Sequence, residues 1–197
     1  MDQQTIDTYN RMAAEYDEET TGFWEKFPRT FLDQFIRASG ARVLDSGSGP
    51  GRDALLLREA GKDVVCLDAS REMVRISSER GLESIVGNFM QLPFPDASFD
   101  GVWAYTSLLH VAKADAGAAM EEIRRVLGEG GILGLGLIEG EGESYRENLG
   151  AGMPRWFSYY SKQEIEALAK EHGFELSYFE SFYPGPRQYL NFIFRKV

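Results

Sequence analysis

Val43-Leu44-Asp45-Ser46-Gly47-Ser48-Gly49-Pro50-Gly51-Arg52-Asp53-Ala54 is the stretch whose reading decides the fold. Residues 42–45 pattern as a buried strand ending at an acid, and residues 54–60 as a helix stopped by Gly61. Between them glycine recurs at positions 47, 49 and 51. A glycine-rich turn from strand to helix lets a ligand approach the backbone, because no Cβ intervenes. It also leaves the first N–H groups of the helix aimed at that ligand. The stretch therefore predicts an α/β fold with a small molecule over the end of the first strand.

The spacing narrows the ligand. A dinucleotide fingerprint places its third glycine inside the helix, as G-x-G-x-x-G. Here the run is tighter, holds Pro50 and follows Asp45. A carboxylate at the strand end suits a cation and repels a pyrophosphate. Asp45-x-Gly47-x-Gly49-x-Gly51 resembles motif I of the class I S-adenosylmethionine (SAM)-dependent methyltransferases. SAM carries a sulfonium and an ammonium. The resemblance implies that Asp45, Gly47, Ser48, Gly49 and Gly51 bind this cofactor.

Composition sets the outer bounds. The chain has 197 residues, a length that predicts one domain over 1–197, with 43% hydrophobic and 26% charged residues as in a water-soluble globular protein. No apolar run reaches membrane-helix length, and residues 1–5 lack the basic and apolar parts of a secretory signal. Cys66 is the single cysteine and lies in an apolar strand pattern. It fits a buried hydrophobe in a reducing cytoplasm and excludes an internal disulfide or a cysteine metal cluster. A net charge of −10 with no basic run disfavours nucleic acid as substrate. A monomer or homodimer is expected, with no metal.

Residues 3–19 read as a helix carrying Tyr9 and Tyr16 on one face, part of an N-terminal helical cap over 1–40. Tyr9-x-x-x-Ala13-x-x-Tyr16-Asp17 resembles the lid segment of small-molecule methyltransferases of the ubiquinone- and menaquinone-biosynthesis type. That resemblance places Tyr16 on the cofactor and Tyr9 on the acceptor; packing of both tyrosines on the core is the other reading. Phe27, Phe31 and Phe35 recur every fourth residue, predicting one helix with Pro28 in its first turn and an aromatic stripe on the sheet.

Residues 64–68 form the second predicted strand, ending in Asp68, an acid placed to accept from both ribose hydroxyls of an adenosine. Ser70 then caps a helix. By the resemblance, Ala69 and Met73 pack on the adenine. Residues 84–88 give a short third strand, and the run from Gly87 to Asp100 resembles the family closely. Relatives carry Asp where Asn88 stands. The Asn88 amide oxygen can still accept from the adenine amino group, and the Phe89 N–H contacts the ring.

Residues 99–105 are the fourth strand, which brings Ala104 and Tyr105 to the cofactor side and leads to His110. A helix over 116–127 and a strand over 132–138 follow. Arg124-Arg125-Val126-Leu127-x-x-Gly130-Gly131 resembles the family at the matching place. Residues 139–158 lack periodicity and read as a long substrate-side loop holding Tyr145, Arg146, Met153, Arg155 and Trp156. Ser161 opens a helix with a capping box to Glu164; His172 ends it in a structural role, and residues 174–182 and 188–196 form a closing hairpin. The resemblance covers nearly the whole chain. It implies a doubly wound, mostly parallel seven-stranded sheet with its last strand antiparallel and helices on both faces.

The reading is a SAM-dependent methyltransferase acting on a small molecule. SAM already carries an electrophilic methyl group, so the protein must chiefly align the acceptor. His110 is the candidate base, because an unperturbed histidine titrates near neutrality, and Tyr105 can orient the acceptor. Trp156 and Tyr159 offer an apolar wall. Arg146 and Arg155 read first as surface residues pairing with Glu139, Glu141, Glu143 and Glu147; the alternative is an anionic acceptor held by Arg155. Arg187, at the closing hairpin, stands apart from them. A non-catalytic SAM-binding protein is the competing class, and a nucleotide-linked oxidoreductase is disfavoured by the glycine spacing.

Overall fold

The computed structural model describes residues 2–147 and 154–197. Met153 lies outside them. Strands β1 (Arg42–Ser46), β2 (Asp63–Asp68), β3 (Glu83–Val86), β4 (Phe99–Tyr105) and β5 (Leu127–Ile138) run parallel. β8 (Phe174–Phe182) and β9 (Tyr189–Lys196) complete the sheet in the order β3-β2-β1-β4-β5-β9-β8, with β9 antiparallel to both neighbours. The order reverses between β1 and β4, and the C-terminal ends of those strands frame the crevice where an open α/β sheet binds ligands.

Both faces of the sheet are covered, which is why its strands are apolar on both sides. Phe31, Leu32 and Phe35 of α3 (Thr30–Ala38) and Ala54 and Leu57 of α4 (Arg52–Glu59) cover one face. Met120 and Ile123 of α6 (Lys113–Val126) and Ile165 and Ala169 of α7 (Lys162–Glu171) cover the other. β4 shows the alternation: Trp103 packs on the α3 face, and Val102 and Ala104 pack on the α6 face. α5 (Arg71–Glu79) follows β2 and is capped by Ser70, whose hydroxyl accepts from the Met73 N–H. No helix among the described residues is long and apolar enough to cross a membrane.

Two expectations are corrected. The aromatic stripe is not one helix. A short α2 (Phe23–Lys26) ends at Phe27, which is extended at φ −125° and ψ 155°, and α3 begins only at Thr30. Pro28 explains this, because its ring pushes the preceding residue out of the helical region. Phe31 and Phe35 still form a buried pair. The 139–158 stretch is not a structureless loop either. β6 (Glu143–Glu147) pairs antiparallel with β7 (Pro154–Ser158), with Arg146 opposite Arg155 and Tyr145 opposite Trp156. β6 is solvent-facing and polar, so it carries no hydrophobic alternation to read.

Helix α1 (Gln3–Glu19) ties this hairpin to the sheet. Asp2 caps it by accepting from the Thr5 N–H at 2.8 Å. Thr8 donates to the Pro154 carbonyl at 2.9 Å, and Thr5 accepts from the Trp156 N–H at 2.8 Å. On the other side Asn10 accepts from the Ser70 hydroxyl at 2.9 Å, and Asp17 pairs with Arg52 and Arg80 at 2.8 and 2.7 Å. The helix therefore spans the crevice from β7 to α5.

Candidate active site

The crevice under α1 is a cavity of about 620 Å³, within the usual range for small-molecule sites. One end is built by the glycine-rich turn. Gly47 has φ +74°, and a Cβ there would lie 2.2 Å from the Ser107 Cβ, so only glycine fits. The Gly47 N–H donates to the Leu67 carbonyl at 2.7 Å and ties the turn to β2. A Cβ on Gly49 would project into the cavity and reach only the Tyr16 ring at 3.8 Å. That is a cradle shaped for something other than a side chain. Ser48 lines the same turn.

Gly51 is a correction. It does not line the cavity; it starts α4 at φ +83°, and a Cβ there would strike Leu82 at 2.5 Å. Its role is close packing of α4 against the α5–β3 connection.

Three carboxylates converge at this end. Asp45 is 2% exposed, and its Oδ2 has no hydrogen-bond partner among the described residues. Burial holds its carboxyl well above the usual range, and Asp53 and Asp68 raise it further. Asp68 is also raised by burial, although N–H groups of Ser70 and Gly49 donate to it at 2.8 Å each. Asp53 accepts from the indoles of Trp24 and Trp103 at 2.6 and 2.8 Å. A buried carboxylate that keeps one oxygen unpartnered among the described residues, beside two other acids, is matched by a cation, and the sulfonium and ammonium of SAM have that character. The residues present therefore fit this cofactor: Asp68 for the ribose, the Gly47–Gly49 turn beneath the amino-acid part, and Asp45 for the charge.

Asn88, Phe89, Ala69 and Met73 line the cavity. The Asn88 amide oxygen already accepts from the Met90 N–H at 2.8 Å, which leaves it one further lone pair. Ala104 is a correction. It is fully buried in the α6-face core, and strand alternation turns Tyr105 to the other side. Thr106 and Ser107, which follow, line the cavity instead. Thr106 holds a left-handed φ of +50°, a conformation unusual for a β-branched residue and typical of strained functional turns. The Tyr105 hydroxyl is buried without a hydrogen-bond partner among the described residues.

The second end is made of long-range neighbours. Tyr9 packs edge-on against Tyr16 with ring centroids 5.4 Å apart, and its hydroxyl lies 2.9 Å from His110 Nε2. His110 Nδ1 faces the Trp156 carbonyl at 2.5 Å. A carbonyl only accepts, so Nδ1 carries the proton and Nε2 accepts from Tyr9. Arg155 in turn donates to the Tyr9 oxygen at 2.8 Å. Burial, helped by the Arg155 charge and opposed by the bond to the Trp156 carbonyl, pushes the His110 pKa down to about 4. The expectation of a histidine titrating near neutrality is thus corrected. His110 is neutral, both its nitrogens are engaged, and it fastens α1 to β7.

Arg146 and Arg155 line the cavity, while Trp156 and Tyr159 do not. The β7 pleat turns Arg155 and Phe157 inward and Trp156 outward onto Tyr145, 5.1 Å away. Tyr159 stacks behind Phe157 at an interplanar angle of 11°. Arg187, expected apart from this group, lines the cavity and donates to the Tyr159 hydroxyl at 3.2 Å. Trp24, Asp53, Phe157 and Tyr189 are lining residues that local motifs did not indicate. An inward period of two at 155 and 157 was present in the sequence and would have found Phe157.

Comparison with known proteins agrees with this geometry. The profile described as a methyltransferase domain matches residues 44–135. The chain is 27% identical over 173 residues to a protein described as an uncharacterized methyltransferase of Staphylococcus carnosus (strain TM300), covering 84% of this chain and 80% of that one. It is 32% identical over 149 residues to the demethylmenaquinone methyltransferase of Symbiobacterium thermophilum, covering 66% of this chain and 57% of the relative. The Burkholderia thailandensis 1,6-didemethyltoxoflavin-N1-methyltransferase, solved with S-adenosylhomocysteine (SAH), superposes with a TM-score of 0.78 at 20% identity, covering 98% of this chain and 88% of that one. With the glycine turn, the strand-end acids and the sheet order in place, the chain carries a methyltransferase domain over residues 44–135 on the fold of the class I SAM-dependent methyltransferases.

Proposed function

We propose that the enzyme methylates a small-molecule acceptor bound at the end of the cavity lined by Tyr9, Arg155 and Phe157. The observation that carries this reading is enclosure. The cavity continues beyond the cofactor end and is roofed there by α1 and the β6–β7 hairpin. That supports a compact acceptor over a polymer. Two similar proteins are named for methylating demethylmenaquinone and 1,6-didemethyltoxoflavin, neither of them a polymer of amino acids or nucleotides, which supports the same class. A monomer or homodimer is the expected state, and the lone buried Cys66 supports a cytoplasmic setting.

When bound, SAM supplies a methyl group activated by its sulfonium. The chain's own residues then bind, orient and exclude water. In this reading Asp68 holds the ribose, Asn88 and the Phe89 N–H the adenine, and Tyr16 and Met73 pack on the cofactor. The unpartnered Tyr105 hydroxyl gives the acceptor a fixed hydrogen-bond contact. The test is incubation with methyl-labelled SAM and a cell extract separated into metabolite, protein and nucleic-acid fractions. Label in the metabolite fraction is expected. Label confined to protein or nucleic acid would overturn the small-molecule assignment.

A further inference from the structure

The cavity carries opposite charge at its two ends. Asp45, Asp53 and Asp68 gather at the cofactor end, where the charges of Asp53 and Asp68 add to burial in raising the Asp45 carboxyl. Arg146, Arg155 and Arg187 gather at the other, and all three act electrostatically on the Tyr189 hydroxyl that lines it. Three guanidiniums around one pocket in a protein of net charge −10 need a physical reason. Two further arginines line the cavity at the acidic end, where Arg52 pairs with Asp17 at 2.8 Å and both Arg29 and Arg52 act on Asp53.

The arginines are also posed on rings. Arg146 lies 4.8 Å from the centroid of Phe157, Arg155 5.4 Å from the same ring, and Arg187 5.7 Å from Tyr159. Phe157 and Tyr159 stack at 11°, so the guanidiniums rest on a rigid aromatic base. A guanidinium fixed in this way loses little freedom on binding and presents a fork of N–H donors that matches a carboxylate. Rings at the same end, from Tyr9, Phe157 and Tyr189, supply apolar walls for a planar body.

We propose that the acceptor is a small aromatic carboxylate, its anionic group held by Arg146, Arg155 and Arg187 and its ring lying between the aromatic walls. This rests on the small-molecule reading above and names the substrate class. It also gives the acidic cofactor end and the basic acceptor end one logic: a cation enters at one and an anion at the other.

The test uses SAH-saturated protein titrated calorimetrically with para-hydroxybenzoate and with the neutral para-hydroxybenzamide. The carboxylate is expected to bind at least about tenfold more tightly than the amide. Arg187→Gln and Arg146→Gln should each remove most of that preference while leaving SAH affinity within about twofold. Both positions are only half-buried, and melting curves check that the variants fold. Arg155→Gln should act the same way but also frees Tyr9, so it carries less weight. Equal binding of acid and amide, or a preference surviving in both half-buried variants, would overturn the proposal. Absence of SAH binding in the unaltered protein would instead strike the cofactor assignment.

Discussion

The two ends of the cavity differ in how they are built. The cofactor end stands on the C-terminal ends of β1, β2 and β4, with its acids and glycines inside a span of 24 residues from Asp45 to Asp68. Backbone shape does most of its work: left-handed glycines, N–H groups pointing at Asp68, a close approach at Ser107. The acceptor end gathers Tyr9, His110, Arg155 and Arg187 from four distant parts of the chain and depends on side chains. Backbone constraints demand particular residues at particular spacings. Side-chain constraints can be met from anywhere, so they leave weaker local marks.

The comparison is broken most forcefully at the glycine turn. Gly47→Ala forces a Cβ to 2.2 Å from Ser107 and an L-residue to φ +74°. It should cost on the order of 2–4 kcal/mol of stability, read from denaturant unfolding. A loss below about 0.5 kcal/mol would show that the turn is not held as described. Asp68→Ala should come next. It removes a half-buried carboxylate and should weaken SAM by about 1.5–3 kcal/mol, roughly ten- to a hundredfold, with the fold intact by circular dichroism. An unchanged dissociation constant would place the ribose elsewhere.

The same contrast explains what was legible in the sequence. Asp45, Gly47, Gly49 and Asp68 were readable because each satisfies a backbone or strand-end requirement. The sheet order followed from the matching order of motifs. Gly51 and Ala104 were misassigned within that frame, one serving helix packing and the other facing the core. At the acceptor end Arg146 and Arg155 read first as surface residues, yet both line the cavity, Trp156 points away from it and Arg187 joins them. No local pattern reports that residues 146 and 187 meet around Tyr159. His110 was found by residue type, yet its pKa follows from burial by α1 and β7, which only the fold supplies.

A smaller effect is the pH dependence of cofactor binding. Burial raises Asp45 and Asp68, so in the free protein each favours its protonated form. For a carboxyl raised on folding, the unfolded chain holds fewer protons between its ordinary pKa and the raised one. Its contribution to stability is therefore full below the ordinary pKa and is lost as pH rises through the raised value. A cationic ligand favours the ionised acid, so SAM binding should release protons and strengthen with pH across that window. The melting-temperature gain from saturating SAM should be larger at about pH 7.5 than at about pH 5. A gain that grows toward acid would contradict a role for ionised Asp45.

The smallest expected effect tests the roof. Tyr9→Phe removes the bonds to His110 and Arg155 and should cost about 0.5–1.5 kcal/mol of stability. Amide exchange in α1 should speed up in this variant, and in the unaltered protein it should slow when SAH binds. Exchange in α1 already as slow as in the central strands, with no response to SAH, would reject the idea that this helix opens and closes over the site.

The central claim is that the acid-lined end of the cavity holds SAM. Isothermal titration of the unaltered protein with SAM at neutral pH tests it most directly. The expected result is saturable binding in the micromolar range, about 8 kcal/mol, with a matching rise in melting temperature. No heat and no thermal shift, for SAM and SAH alike, would contradict it.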